Sequence, residues 1–215
     1  MNAVEQQLIR DADGTVLLFT PPFDGVSPQD PGYIRGYLPG LRENGGQYTH
    51  AAIWVLMAEA ALGRSAQVGR LLRMLNPVHR SATPESMSRY RVEPYVLAAD
   101  IYSGADIGQR GGWTWYTGAA GWMYRAVLEH VLGISISGNQ LRVTPCMPDD
   151  WNGFEMKLDL PGIDCRIVVT RSTDTAAGKL LLDGAPVAGD TITLAADQRP
   201  HRIELKLTQA VRLDQ

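Results

Sequence analysis

WTWYTGAAGWMYRAVLEHVLG (113–133), followed by ISISGNQLRV (134–143), is the stretch in which the chain changes character. Up to Leu132 the apolar residues recur at helical spacing, and Gly133 stands after them as a stop signal. Beyond Gly133 the apolar and polar residues alternate in short runs, the period of a strand. The chain is therefore expected to divide here, with a mainly α part over 1–133 and an antiparallel β-sandwich over 134–215. The expected boundary is 133–138.

Working upstream, HAAIWVLMAEAAL (50–62) is rich in Ala, Leu and Met and is followed by Gly63, which reads as a helix and its stop. Ser65 could cap a second helix through Val68, Leu71, Leu72 and Leu75 that Pro77 ends. A third helix is expected over 95–102, opened by Pro94, and a fourth over 113–132. Helices apolar over much of their surface need neighbours on several sides, as in a helical array. Downstream, strands are expected at 141–143, 155–160, 165–170, 179–182, 191–194 and 202–207. Ser137-Gly138-Asn139, Pro161-Gly162, Asp183-Gly184 and Gly189-Asp190 mark the turns between them.

The 215 residues are 45% hydrophobic and 20% charged, with a net charge of −3. This is ordinary globular composition, and without a basic stripe it points away from nucleic acid and anionic membrane. Cys146 and Cys165 have no metal-ligand spacing and are expected to be buried free thiols, which suggests a reducing, cytoplasmic setting. Residues 1–20 lack the basic, apolar and small-residue series of a signal peptide. No apolar run reaches the roughly 18 residues of a membrane span. A soluble chain is expected, membrane-associated only as part of something larger.

Two loops are loaded with chemistry. TPPFDGVSPQDPGYIRGYLPGLRENGGQYTH (20–50) holds five prolines and six glycines around Tyr33, Tyr37, Arg42, Glu43, Tyr48 and His50. Loops this long without regular structure are uncommon unless functional. Aromatics mixed with Arg, Glu, Asn and His suit a sugar, which presents apolar faces and hydroxyl edges together. In RGGWTWYTGAAGWMYR (110–125), Thr117-Gly118 stands among Trp113, Trp115, Tyr116, Trp122 and Tyr124. A hydroxyl and a glycine amide at a helix start can cradle an anion. Small residues in a helix also serve close helix packing, and a lone histidine such as His50 is also a common structural group.

Taken together, RENGGQYTH (42–50), VEPYV (92–96), WTWYTGAAGWMYR (113–125) and PCMPDDWNGFE (145–155) resemble glycoside hydrolase family 94, the inverting glycoside phosphorylases. The wording of 20–50 looks closest to the C-terminal phosphorylase-like region of cyclic β-1,2-glucan synthases and to 1,2-β-oligoglucan phosphorylase. The resemblance implies an (α/α)6 barrel, of which 1–133 would be the C-terminal part, followed by the sandwich. It implies phosphate-binding roles for His50, Thr117 and Gly118, and acceptor-sugar roles for Arg42, Glu43 and Glu93. The reaction it implies is a single inversion. An acid protonates the glycosidic oxygen while inorganic phosphate, as co-substrate and with no other cofactor, attacks the anomeric carbon.

The family's catalytic acid is an aspartate in a D-W-N-D-G motif, and its phosphate-binding arginine also lies upstream of these motifs. PDDWNG (148–153) lacks the second aspartate, follows the helical half and is expected to be a turn. The chain is thus expected to hold phosphate and the acceptor side of a β-linked glucooligosaccharide, with no catalytic acid of its own and weak or no phosphorolysis alone. Two other readings are a carbohydrate-binding module and a non-catalytic interaction remnant that docks the missing N-terminal half or a second copy.

Overall fold

A computed structural model describes residues 1–26, 30–104, 107–115, 117–172 and 178–208. The chain forms two compact units, Met1–Ala126 and Val127–Gln215.

The first unit opens with α1 (Asn2–Gln7) and an antiparallel pair, β1 (Ile9–Arg10) and β2 (Thr15–Val16). A long connection with one 3-10 turn at Gly32–Gly36 leads to β3 (Gln47–Tyr48) and directly into α2 (Thr49–Ala61). Then come α3 (Ser65–Leu75), α4 (Pro77–Arg80), α5 (Pro84–Tyr90), β4 (Asp100–Ile101) and α6 (Thr117–Arg125). α2 buries Ala52, Ile53, Leu56 and Ala60, and α3 buries Val68, Leu71 and Leu75. The two helices pack together along these residues. α4 starts where Asn76 Oδ1 accepts the Val78 amide at 2.9 Å. α5 starts with a capping box in which Thr83 and Ser86 exchange side-chain and backbone bonds.

This is not the mainly α part expected over 1–133, nor a row of barrel helices. Only 31% of the chain is helical, and the helices are short and interleaved with small sheets. Two particulars account for the difference. Residues 95–102 do not form a helix, because Asp100 and Ile101 pair antiparallel with Tyr48 and Gln47, and a backbone engaged in a ladder cannot also close helical turns. Residues 113–115 are not helical either: Trp115 takes a left-handed conformation with φ +61°, so α6 begins only at Thr117. Beyond Arg125 the backbone widens to a π-type helix over Ala126–Val131.

The second unit carries β5 (Ile134–Ser137), β6 (Gln140–Val143), β7 (Gly153–Leu160), β8 (Ile163–Ser172), β9 (Leu180–Leu182), β10 (Ala185–Pro186), β11 (Thr191–Thr193) and β12 (Pro200–Thr208). They form a five-stranded sheet, β10-β9-β12-β8-β7, and a three-stranded sheet, β11-β6-β5. The expected antiparallel arrangement is corrected here too, because β12 runs parallel to β8 over nine residue pairs and the larger sheet is mixed. One apolar cluster takes Cys165, Ile167, Val169, Ile203 and Leu205 from the larger sheet and Ile134, Leu141, Val143 and Ile192 from the smaller. Cys165 is buried and Cys146 half-buried, both as free thiols, and burial pushes the Cys165 thiol up to about 11. Among the described residues, no helix is long and apolar enough to cross a membrane.

His201, on β12, lies between two carboxylates. Nδ1 is 2.7 Å from Asp183 Oδ2 and Nε2 is 3.1 Å from Asp197 Oδ1. The Asp183 bond, then the Asp197 bond, hold the imidazole above its ordinary value. The Arg202 amide first, and then His201, hold Asp183 below the usual carboxylate range. A raised imidazole stabilises the fold fully below its unfolded value, near 6.5, and that contribution is lost as pH rises through the folded value. The lowered carboxylates act in the opposite sense, and their contribution is lost on acidification from about 4. The urea midpoint of this unit is therefore expected to be highest between about pH 4 and 6.5 and to fall above that window. The alkaline fall should vanish in His201→Gln; a native midpoint that stays flat from about pH 6 to 8 would refute the assignment.

Candidate functional site

The long connection before β3 is fixed by one side chain. Asn44 is fully buried, and its Nδ2 donates to the Phe23 carbonyl at 2.9 Å and the Tyr37 carbonyl at 2.8 Å. Its Oδ1 accepts the Phe23 amide at 2.8 Å, and its backbone bonds Leu41 and Gly40. A buried amide satisfied at every position it offers holds three strands of loop in one arrangement.

That clamp presents Arg42 and Glu43. Arg42 sits at φ +45°, with its guanidinium carbon 3.8 Å from the centroid of the Trp113 ring and 5.6 Å from that of Tyr37. A cation over an indole face is worth about 0.5–2 kcal/mol, more as water is excluded. Arg42 Nε lies 3.7 Å from Glu43 Oε2, an ion pair too long to be a hydrogen bond. Arg42 Nε and Nη1 and Glu43 Oε2 are all buried without a hydrogen-bond partner among the described residues.

Facing them is Asp100, which motif reading did not single out. It is completely buried, and its Oδ1 accepts the Trp113 amide at 3.1 Å. Its Oδ2 has no partner among the described residues. Burial raises the Asp100 carboxyl above its ordinary value, against the Trp113 bond and the Arg42 charge, which lower it. Backbone bonds surround it: Thr49 donates to Ala99 at 2.9 Å, Ala99 to Trp113 at 2.7 Å and Gly112 to Asp100 at 2.8 Å. β3, β4 and 111–113 thus form one small weave. Only a sequence without burial information would overlook Asp100; its position next to two β-branched or aromatic residues, Ile101 and Tyr102, was the available hint of a strand.

The weave also aims His50. α2 starts at Thr49, immediately after Tyr48 pairs with Asp100, so the helix has a fixed phase. The His50 ring lies 4.6 Å from Trp54, edge to face, and 5.5 Å from Trp122. Its Nε2 is buried with no hydrogen-bond partner among the described residues. Trp122 belongs to α6 and stands four residues after Gly118, on the same helix face. His50 therefore packs one turn along from the Thr117-Gly118 pair; no hydrogen bond joins His50 to Thr117 among the described residues. Thr117 and Gly118 are exposed, and a Cβ built on Gly118 would meet nothing within 4 Å. Close helix packing is thus not what requires a glycine there, while open space beside an amide is what an approaching anion needs.

Glu93 makes no hydrogen bond or ion pair with Arg42 among the described residues and accepts the Trp115 indole N–H at 3.0 Å. Its carboxyl is held low by a bond to its own backbone and then by Trp115. Tyr116 falls outside the described residues. The PDDWNG segment belongs to the second unit and is a turn held by Arg171, which donates to the Met147, Pro148 and Trp151 carbonyls at 2.9, 3.1 and 3.0 Å. Among the described residues, no group of three or more His, Cys, Asp or Glu could hold a metal ion.

Comparison with known proteins adds the following. Residues 1–133 match the profile of the glycosyl hydrolase 94 superfamily, catalytic domain. The chain is 49% identical to cyclic beta-(1,2)-glucan synthase NdvB of Rhizobium meliloti over 80% of its own length and 6% of that protein's. It is 28% identical to solabiose phosphorylase of Paenibacillus borealis, over 96% of the chain and 27% of the relative. It is 30% identical to N,N'-diacetylchitobiose phosphorylase of Vibrio proteolyticus, over 88% and 23% respectively. The chain thus spans about a quarter of these phosphorylases and a small fraction of the synthase.

Gly112 tests the weave directly. A Cβ there would stand 2.4 Å from Asp100 Oδ1. Gly112→Ala is expected to destabilise the chain by about 1–3 kcal/mol in urea denaturation, the usual range for an overpacked site. Combining it with Asp100→Ala should return about 1 kcal/mol or more of that loss as coupling between the two positions. Strictly additive single effects would show that the two groups do not press on each other.

Proposed function

Because the chain belongs to the glycosyl hydrolase 94 superfamily, we propose that it forms the phosphate-facing and acceptor-facing side of an inverting phosphorylase site acting on β-linked glucan. The observation that supports this most is the buried Nε2 of His50, which has no hydrogen-bond partner among the described residues and packs one helical turn from an open Thr117-Gly118 pair. In this reading the His50 imidazole, the Thr117 hydroxyl and the Gly118 amide surround inorganic phosphate. An imidazole, a hydroxyl and an amide can hold an anion by hydrogen bonds without having to deprotonate it.

The acceptor-side sugar lies against Arg42 and Glu43, with Glu93 at its margin. The atoms of Arg42 and Glu43 that make no hydrogen bond among the described residues supply donors and an acceptor for sugar hydroxyls. Phosphorolysis then runs as one displacement. A phosphate oxygen forms a bond to the anomeric carbon while the glycosidic bond breaks and its oxygen takes a proton, giving an inverted glycosyl phosphate. In this reading the acid that gives this proton lies outside these 215 residues, as the family resemblance implies. The Asp149-Asp150 pair is set aside because it sits in the Arg171-held turn of the second unit. Identity to a β-1,2-glucan synthase favours β-1,2-linked glucan as the substrate.

The test is phosphate binding by the chain, read by calorimetry. His50→Ala and Thr117→Ala should each weaken it roughly 10- to 100-fold, the range for one hydrogen bond to a charged group, while leaving sugar affinity unchanged. Phosphate affinity that does not depend on His50 would defeat the proposed cradle. Robust release of glucose 1-phosphate by the purified chain would defeat the placement of the acid elsewhere. Sugar binding with no response to phosphate would identify a carbohydrate-binding module instead.

A further inference from the structure

Trp115 is hard to account for by folding alone. It is 68% exposed, so its indole contributes little to the core. Its φ is +61°, a region that bulky residues almost never occupy and that costs on the order of 1 kcal/mol or more. Such a conformation persists only when its surroundings fix it, and here two contacts do so. The indole Nε1 donates to Glu93 Oε1 at 3.0 Å, and the ring meets Tyr95 edge to face at 6.5 Å and 69°. Tyr95 is itself 72% exposed. Neighbouring Trp113 differs, since the Arg42 guanidinium already covers one of its faces.

We propose that Trp115 and Tyr95 form a stacking platform, with Glu93 at its edge, that receives one further glucosyl unit beyond the acceptor sugar held by Arg42 and Glu43. This rests on the phosphorylase reading and extends it, because it makes the site one for oligosaccharides rather than disaccharides. The chemistry fits a pyranose. The C–H face of a β-glucosyl ring is apolar and suits an indole or phenol face, while its equatorial hydroxyls point outward to a carboxylate. Glu93 stays ionised because its own backbone amide and Trp115 hold its carboxyl low, and a carboxylate accepts more bonds than the one it makes to Trp115. The platform is also contiguous with the proposed site. Trp115 lies two residues after Trp113, which carries Arg42, and two before Thr117. A protein partner is a poor alternative occupant: two aromatic side chains offer about 150–250 Å² each, against roughly 800 Å² per side in a stable protein interface.

The experiment is a titration of the chain with glucose and with β-1,2-linked glucose di- and trisaccharides by calorimetry. In this reading the chain carries the acceptor-facing side, so a disaccharide fills both the acceptor position and the platform. The native chain should bind the disaccharide roughly 2- to 10-fold more tightly than glucose, the size of one aromatic stacking contact. Trp115→Ala and Tyr95→Ala should remove that gain with glucose affinity unchanged within about twofold, and Trp115→Phe should restore part of it. Glucose binding with no gain from a second unit in the native chain would overturn the platform and leave the phosphorylase reading standing. Equal weakening at every length in Trp115→Ala would likewise overturn it, showing a support for the inner site. Failure of the native chain to bind any of the three sugars would overturn both.

Discussion

Antiparallel pairing of Tyr48 with Asp100 is the constraint on which the first unit's site depends. Two-residue strands are marginal alone, and this pair persists because other bonds surround it. Thr49 and Ala99 extend the ladder through backbone bonds, Gly112 donates to the Asp100 carbonyl, and the Asp100 carboxylate takes the Trp113 amide. Three segments distant in sequence, around 42–50, 99–102 and 111–115, are thereby held in one register. Everything placed on them inherits that geometry: Arg42 over Trp113, Glu93 on Trp115, and His50 turned towards Trp122 by the phase of α2. A one-residue slip of β3 against β4 would reverse which faces these side chains present.

The polar groups of the unit fall into two kinds, and the distinction bears on function. Asn44 and Gln47 are buried and bonded. Asn44 bridges Phe23 and Tyr37, and Gln47 accepts the Val16 amide at 2.9 Å while reaching Thr49 at 3.4 Å. Arg42, Glu43, Asp100 and His50 are also held in the fold, yet each keeps at least one buried nitrogen or oxygen without a hydrogen bond among the described residues. An unmade bond of this sort costs about 1–3 kcal/mol. A fold under selection for stability alone would be expected to fill or remove such vacancies in its hydrogen bonding, as it does at Asn44. Thr15, Glu59, Arg80 and Ser81 elsewhere in the unit keep such atoms too, so what marks the set at Arg42, Glu43, Asp100 and His50 is that its members stand on or beside the same weave.

How much of this was legible in sequence depended on whether local rules or distant partners decided each segment. The α2 and α3 helices were readable because composition, the Gly63 stop and Pro77 act within a few residues. The candidate residues came from two sources: Arg42, Glu43, His50, Thr117 and Gly118 stand in the two loaded loops, Glu93 came from the VEPYV motif, and the role of each from the family resemblance. The helix expected at 95–102 failed because its backbone found a partner some fifty residues upstream, which no local propensity reports. The mainly α reading failed with it. Parallel β8 and β12 were illegible for a similar reason, since alternation shows that a strand has two faces but not which neighbour lies beside it or in which direction. Asp100 was missed because a carboxylate in sequence is ordinarily a surface group, and only its burial makes it a structural one.

The two tryptophans on either side of Thr114 are held through different parts of the indole. Trp113 offers the negative face of its ring to a cation, the Arg42 guanidinium. Trp115 offers the positive end of its indole N–H to an anion, the Glu93 carboxylate. Phenylalanine could do the first and not the second, and tyrosine would place its donor elsewhere. Because the Trp115 ring is held through its N–H, a contact made by its exposed face costs little added side-chain freedom.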